Sequence, residues 1–162
     1  KGVCAVGVSG KDLWSESEPS IQSRVSLIKE FEWGKSDLVV AVPTAWIDCV
    51  NSADLEEISF EFYKKKKRLM RVATKFKNLS RDWFNEKGIT QYETISSLGA
   101  TENSHISGKS DLIVDLSSTG ETLRQNNLKI LEIILKSSAC LFASKKLQNK
   151  NEVKKIIKLL SR

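Results

Sequence analysis

Short apolar runs recur along the chain and are separated by polar or amphipathic segments. Such runs, rich in Val, Ile and Phe, are typical of buried strands, whereas a 3.6-residue apolar spacing predicts helices. Helices are predicted at 13–16, from 54 to 67, from about 78 to 88, and over the stripe at 153, 156, 157 and 160. Strands are predicted at 3–8, 26–33, 37–42, 68–74, 91–98, 112–114, 129–135 and 139–143. This alternation predicts an α/β fold.

Local signals predict several of the connections. Asp54–Glu57 has the pattern of a capping box at the start of a helix. Asn78 or Ser80 is expected to cap the next helix. The segment 34–36 predicts a hairpin-like turn between two strands, and the polar segment 15–24 predicts a loop.

Composition narrows the class of protein without fixing it. The 162 residues suit one large domain or two small lobes, and 40% hydrophobic with 28% charged residues is ordinary for a soluble globular protein. No run approaches the ~18 apolar residues of a membrane helix. The net charge of +6 favours anionic ligands such as nucleotides and phosphates. Nucleic acid is a weaker alternative, because no aromatic residues interleave the lysines at 64–67.

The cysteines and the histidine limit the possible chemistry. Cys4, Cys49 and Cys140 are far apart and lack C-x-x-C spacing. Free thiols in a reducing cytoplasm are therefore expected, rather than structural zinc. His105 is the one histidine, so a Ser-His or Cys-His mechanism would have to use it.

The stretch from 111 to 128 carries the strongest candidate chemistry. Its apolar run leads to Asp115, and Ser117–Gly120 follow. Gly120 permits a tight turn and close approach of a ligand, and the N–H groups of such a turn converge on an anion. The Ser and Thr hydroxyls add donors, and Asp115 could bind the hydroxyls of a sugar attached to a phosphate. The alternative is an ordinary strand-to-helix turn with Ser/Thr capping.

Two further turns, at 10–12 and 74–75, have side chains that could bind a nucleotide or a phosphate. Gly10 allows close approach, Lys11 offers a charge for phosphate, and Asp12 could accept from a nucleotide or hold a metal. A plain surface turn is the alternative. Thr74 and Lys75 lie where a predicted strand ends and a helix begins, which is where open α/β sheets bind ligands.

The stretch from 111 to 128 resembles the loop with which phosphoribosyltransferases bind the 5′-phosphate of phosphoribosyl pyrophosphate. In particular it resembles the ATP phosphoribosyltransferase family, which carries a version of Asp-x-Ile-Val-Asp-Leu-Val-x-Thr-Gly-x-Thr-Leu-Arg-x-Asn-Gly-Leu. Ser117 replaces the family's Val, and Asn127 replaces its Gly. The segment 71–81 resembles the family's Arg-Val-Ala-Thr-Lys-Tyr-Pro-Asn-Leu-Thr-Arg, with Lys77 in place of Pro.

Two other segments extend the resemblance. Residues 9–12 are similar to the end of the family's Gly-Ile-Val-Gly-Lys-Asp. Glu102 matches the acid of a family loop, Gly-Ser-x-Glu-x-Ala-Pro, but Ser104 and His105 replace its Ala-Pro, so a different loop path is expected. A catalytic base at His105 is disfavoured because the family position is not histidine.

The resemblance implies a two-lobed α/β fold of the type II periplasmic-binding-protein class, with a cleft between the lobes. Lobe one would comprise 1–44, incomplete at its N-terminus by roughly fifty residues, the size of a βαβ unit with one further strand and helix. Lobe two, 45–139, would carry the phosphoribosyl-binding loop, and 140–162 would return to lobe one. The chain is expected to be the family's short form, a cytoplasmic homo-oligomer that works with a histidyl-tRNA-synthetase-like regulatory subunit. No membrane or nucleic-acid partner is expected.

The implied function is transfer of the 5-phosphoribosyl group from phosphoribosyl pyrophosphate to N1 of ATP, with release of pyrophosphate, as the first step of histidine biosynthesis. Mg²⁺ is the implied cofactor, with Asp115 as a candidate ligand. The implied catalytic residues are Asp115 and Glu102. The implied contacts to phosphoribosyl pyrophosphate are Asp111, Asp115, Ser117, Ser118, Thr119, Gly120, Glu121, Thr122 and Leu123, and those to ATP are Gly10, Lys11, Asp12, Arg71, Thr74 and Lys75. The alternative is a two-lobed ligand-binding or sensing module without catalysis.

Overall fold

The computed structural model describes residues 4–97 and 101–160, except for the side chain of Glu102. Its strands are β1 (Val6–Gly10), β2 (Val25–Glu30), β3 (Ser36–Pro43), β4 (Met70–Thr74), β5 (Tyr92–Ser96), β6 (Leu112–Ser117), β7 (Leu128–Ser137) and β8 (Ala139–Ser144). Its helices are α1 (Lys11–Glu16), α2 (Pro19–Gln22), α3 (Ser52–Lys66), α4 (Lys77–Glu86), α5 (Thr101–Ile106), α6 (Glu121–Gln125) and α7 (Asn151–Leu160). Each predicted strand has a counterpart with shifted ends. No helix in the described ranges is both long and apolar enough to cross a membrane.

The chain divides into two compact units. Unit one consists of 1–36 and 136–162, and unit two of 37–135. Both divisions fall earlier along the chain than the boundaries expected from the sequence, which lay after 44 and after 139. The α/β class with two units is as predicted.

Unit two is built on a five-stranded sheet in the order β5-β4-β6-β3-β7. β4 pairs in parallel with both β5 and β6, while β3 runs antiparallel to β6. Both faces of the central strands β4, β6 and β3 are largely buried, as expected for strands that read as continuous apolar runs. Leu38 and Val114 face a cluster with Leu55 and Phe84 from α3 and α4, whereas Ile113 faces a smaller cluster that includes Leu123 of α6.

Unit one contains a three-stranded antiparallel sheet in the order β1-β8-β2. β8 is the central strand and is buried along almost its whole length. The predicted hairpin at 34–36 is therefore wrong, because β2 pairs with β8 in one sheet and β3 pairs with β6 in the other. The turn instead carries the chain from one sheet to the next, with Gly34 at a φ of +66°.

Three local predictions also need correction. The capping box of α3 is formed by Asn51 and Asp54: the Asn51 side chain accepts from the Asp54 N–H, and the Asp54 side chain accepts from the Asn51 N–H. Neither predicted residue caps α4, whose N-cap is Phe76. The segments expected to be loops include two short helices, α2 and α5.

Candidate functional site

The loop after β6 encloses a small cavity at the carboxyl end of that strand. The cavity has a volume of about 330 Å³ and is lined mainly by residues 115–123. Gly120 precedes α6 with a φ of +75°, a conformation that glycine adopts without strain. The Gly120 N–H donates to Ser117 Oγ at 3.0 Å, and the Glu121 N–H donates to Thr119 Oγ1 at 3.3 Å. The loop is thus shaped by its own hydroxyls.

Other donors of this loop have no acceptor in the described part of the chain. The backbone N–H groups of Ser118 and Thr119 have no such partner. Ser118, Thr119 and Thr122 are exposed, so their hydroxyls are accessible to a ligand. Neutral N–H and O–H donors that converge on a concave surface favour an oxyanion such as phosphate.

Asp115 lies beside this loop and close to a cation. Its Oδ1 accepts from the Leu116 N–H at 2.8 Å, and Lys75 Nζ is 3.8 Å from the same oxygen. The side chain of Asp115 is 18% exposed, so an edge of the carboxylate can still contact a ligand. Lys75 reaches it because β4 and β6 are parallel and Thr74 pairs with Val114. The carboxyl ends of these strands therefore bring the predicted acid and the predicted lysine together.

Thr74 has a structural role in this arrangement. It is fully buried, and its Oγ1 accepts from the Phe76 N–H at 2.9 Å and lies 3.4 Å from Ser80 Oγ. These contacts fix the turn between β4 and α4. Thr74 therefore positions the backbone that carries Lys75, and its hydroxyl is engaged within the protein.

Asp111 and Arg71 were predicted to contact the substrates, but they lie at the amino ends of β6 and β4, whereas the 115–123 loop follows the carboxyl end of β6. Arg68 contacts Asp111 through two hydrogen bonds of 2.7 and 2.9 Å, and the Arg71 N–H donates to the same carboxylate at 2.8 Å. Burial would raise the pKa of Asp111, but the hydrogen bonds from Arg68 and Arg71 outweigh it and lower the pKa to about 2. The Arg71 guanidinium also donates to the carbonyl of Gly108 at 2.7 Å. Arg71 and Asp111 form an ion pair that ties β4 to β6, and both lie away from the 115–123 loop.

The Gly10-Lys11-Asp12 turn lies in unit one, at the junction of β1 and α1. Asp12 is buried: its Oδ1 accepts from the Ser137 hydroxyl at 2.6 Å, and its N–H donates to Ser137 Oγ at 3.0 Å. A Cβ at Gly10 would collide with this carboxylate, so the glycine is needed to admit the Asp12 side chain. The prediction that Asp12 contacts ATP is therefore replaced by a structural role, in which Asp12 binds Ser137.

Lys11 makes an ion pair that the sequence did not reveal. Its Nζ lies 3.0 Å from Glu30 Oε2, while the hydroxyl of Ser138 donates to Glu30 Oε1 at 2.8 Å. These hydrogen bonds lower the pKa of Glu30. The partners are 19 and 108 residues apart in sequence, so only the strand pairing around β8 brings them together.

Glu102 and His105 belong to α5, where a loop was expected. Glu102 follows β5 in the chain, but its side chain lies outside the described residues. His105 lines a different cavity together with Gly108 and Asp111, toward the amino end of β6. His105 does not line the cavity of the 115–123 loop, and its exclusion as a catalytic base stays a prediction. The described residues include no group of three or more Asp, Glu, His or Cys side chains that could hold a metal ion.

The fold and the loop together define a class of protein. An acid followed by a Ser/Thr/Gly loop, at the carboxyl end of a parallel strand, is suited to a sugar phosphate. We therefore place the chain among α/β proteins that bind phosphorylated sugars.

Comparison with known proteins identifies the family. All of 1–162 matches the family described as ATP phosphoribosyltransferase. A relative of that name from Chelativorans sp. is 40% identical over 162 residues, an alignment that covers 98% of this chain and 70% of the relative. The solved ATP phosphoribosyl transferase (HisG:HisZ) complex from Thermotoga maritima is similar with a TM-score of 0.73 and 26% identity, covering 98% of this chain and 68% of that one. The chain belongs to the ATP phosphoribosyltransferase family, and is thus a transferase.

A more distant neighbour supports the fold class alone. The extracellular-binding protein of a probable amino-acid transporter from Bacillus subtilis is similar with a TM-score of 0.52 and 14% identity, over 90% of this chain and 61% of that one. This likeness confirms the predicted type II periplasmic-binding-protein class. Membership of the transferase family disfavours the non-catalytic binding module, although the two kinds of protein share this fold.

Proposed function

We propose that unit two binds phosphoribosyl pyrophosphate in the 115–123 loop, and that the Gly10-Lys11 turn of unit one contributes to binding ATP. The observation that carries the proposal is the pair of N–H groups at Ser118 and Thr119, which have no partner within the described ranges and lie beside a carboxylate. The loop would hold the 5′-phosphate, and Asp115 would hold the ribose hydroxyls. Transfer of the phosphoribosyl group to N1 of ATP, as the first step of histidine biosynthesis, follows from the family.

The transfer reaction requires the protein to stabilise developing charge and does not require a catalytic base. Adenine N1 attacks with its own lone pair, a bond forms between N1 and ribose C1, and the bond from C1 to pyrophosphate breaks with its electron pair on the leaving group. Positive charge therefore develops on the ribose. The Asp115 carboxylate can stabilise that charge, while the loop fixes the sugar for attack. Lys75 orients Asp115 from 3.8 Å away, and Glu102 is kept as a second candidate acid.

The described residues offer too few ligands to hold Mg²⁺ alone, so the ion would have to bind together with the phosphates of the substrate. Mg²⁺ is commonly held by one or two carboxylates together with substrate phosphates. Asp115 supplies one such carboxylate, and the described ranges contain no larger cluster of ligands. When bound, Mg²⁺ would neutralise charge on the leaving pyrophosphate.

A partner subunit is also part of the proposal. Its support is that the similar Thermotoga maritima structure is named as a complex of two proteins. We propose a homo-oligomer that associates with a regulatory subunit resembling histidyl-tRNA synthetase. A cytoplasmic location is proposed as well, which the free thiols of Cys4, Cys49 and Cys140 support.

Removing one hydroxyl of the loop tests where phosphoribosyl pyrophosphate binds. Thr122→Val keeps the shape of the side chain and deletes an exposed donor. Since hydrogen bonds to charged groups contribute ~1.5–3 kcal/mol, we expect the dissociation constant for phosphoribosyl pyrophosphate to rise at least about 10-fold, measured by calorimetry on the full-length protein. The control Thr90→Val alters an exposed threonine between α4 and β5, away from the loop. Equal dissociation constants for the two variants would reject the loop as the binding site.

A further inference from the structure

Two aromatic side chains of unit one form an exposed stack. The rings of Phe31 and Trp33 have centroids 5.2 Å apart and planes 24° from parallel. Trp33 is 58% exposed, more than any other aromatic side chain in the described ranges. One face of the indole stacks on Phe31 and most of the side chain is exposed to solvent, so a planar ligand can reach Trp33.

The backbone holds this stack in place. The Phe31 N–H donates to the carbonyl of Ala139 at 2.9 Å, and the Ala139 N–H donates to the carbonyl of Trp33 at 3.2 Å. Both aromatic residues are therefore anchored to the end of the buried strand β8. An aromatic pair fixed by stacking and by backbone hydrogen bonds loses little conformational freedom when a ligand binds.

The same backbone also anchors the Gly10-Lys11 turn. Gly10 pairs with Ala139 across the sheet, and the Lys11 N–H donates to the carbonyl of Ser138 at 3.0 Å. β1 and β2 lie on either side of β8, so the turn and the aromatic stack are about 10 Å apart, or two strand spacings. Lys11, which could bind a phosphate, and the planar apolar surface of Phe31 and Trp33 therefore lie at the same end of one sheet.

We infer that Phe31 and Trp33 form a stacking platform for the purine base of ATP, an inference that rests on the proposed function. Stacking suits a purine because its face is apolar and polarizable, and it leaves the ring edge, including N1, free to react. Lys11, in the turn at the same end of the sheet, would be available to the phosphates. Its ion pair with Glu30 is partly exposed, so a phosphate can compete with the carboxylate.

Tryptophan fluorescence and kinetics of the full-length protein test the platform. ATP should quench the fluorescence of the wild type, and Trp33→Phe should remove most of that quenching. The control Trp46→Phe, which alters a tryptophan of unit two, should retain it. Trp33→Ala should raise KM for ATP about 10-fold, within the range for loss of a base–aromatic stack, with KM for phosphoribosyl pyrophosphate changed less than about 2-fold. Trp33→Phe should keep KM for ATP near the wild-type value, because it retains an aromatic ring.

Inorganic tripolyphosphate separates recognition of the base from recognition of the phosphates. It has no base, so it should inhibit the wild type and Trp33→Ala equally. The inference is overturned if quenching survives in Trp33→Phe, or if Trp33→Ala raises both KM values alike. It is also overturned if sedimentation shows that Trp33→Ala changes only the oligomeric state, since the stack would then be a protein contact.

The binding readout separates this inference from the proposed function. ATP-dependent quenching through Trp33 requires no second substrate. If quenching is found but no pyrophosphate is released, the proposed function fails and the platform stands. If pyrophosphate release requires both substrates but Trp33 variants behave as the wild type does, the platform alone fails.

Discussion

At the scale of single residues, Asp111 and Asp115 look alike in the sequence but have different surroundings. They are four residues apart on an extended strand, which separates them by about 13 Å. Asp115 lies beside the loop, with Lys75 Nζ 3.8 Å from its carboxylate. Asp111 instead forms ion pairs with Arg68 and Arg71. The local pattern could identify both as carboxylates near an apolar run. It could not show which one is engaged, because the partners of Asp111 are 40 and 43 residues away.

The ion pair of Asp111 should make stability depend on pH at acidic values. The pKa of Asp111 is lowered from 3.8 to about 2 in the folded protein. The stabilisation is therefore complete well above pH 3.8 and is lost as pH falls through that value towards 2. Asp111→Asn should reduce the free energy of unfolding by about 2 kcal/mol at pH 7, and by about half as much at pH 3.

Urea denaturation at the two pH values measures this effect. Asp82→Asn is the control, since its ion pair with Arg81 is largely exposed and should contribute little. Asp111→Asn should also leave KM for phosphoribosyl pyrophosphate unchanged, because Asp111 lies far from the loop. A stability loss that stays the same at pH 3, or a large rise in that KM, would contradict the role assigned to Asp111.

At the scale of elements, the site depends on parallel pairing. β4 and β6 present Lys75 and Asp115 at one edge because their carboxyl ends coincide. Apolar runs in the sequence predicted these strands, and the resemblance to a phosphate-binding motif predicted the loop after β6. The failed hairpin between β2 and β3 shows the limit of this reasoning. A short turn between two apolar runs does not reveal whether the strands pair with each other or with strands distant in sequence.

Gly120 and Gly88 have similar positive φ values, so a comparison of the two can distinguish the effect of backbone strain from the effect on ligand binding. Gly120 and Gly88 have φ values of +75° and +73°, so alanine at either position should cost about 1 kcal/mol of folding free energy. Space is not limiting, since the nearest atom to a Cβ on Gly120 would be Ile130 Cδ1 at 3.6 Å, and a Cβ on Gly88 would meet nothing within 4 Å.

Gly120→Ala should raise KM for phosphoribosyl pyrophosphate at least about 10-fold, because the loop can no longer keep its path without strain. Gly88→Ala, at the end of α4, should lose similar stability and keep the wild-type KM. Thermal denaturation and steady-state kinetics on both variants test this pair. Similar KM values for the two variants would show that the loop conformation is not needed for binding.

At the scale of the whole molecule, the sequence predicted more of the fold than of the site. The α/β class follows from apolar periodicity, whereas the two units and the candidate phosphate loop after β6 follow from the resemblance to one family. The functions of Asp12, Thr74 and Arg71 do not, because their side chains are engaged by Ser137, Phe76 and Gly108 through contacts that depend on the folded chain. Near a ligand-binding loop, the residues that contact the ligand and the residues that hold the backbone in place are of the same polar types, so the sequence alone does not distinguish them.

The most direct test of the central claim is pyrophosphate release from ATP and phosphoribosyl pyrophosphate by the full-length protein, with and without the proposed regulatory subunit. The account predicts release that requires both substrates, and a fall in kcat/KM of at least about 100-fold for Asp115→Asn, on the scale of losing a charge-stabilising contact. Asp82→Asn should match the wild type. Absence of release by the wild type, or Asp115→Asn activity within about 3-fold of it, would contradict the account.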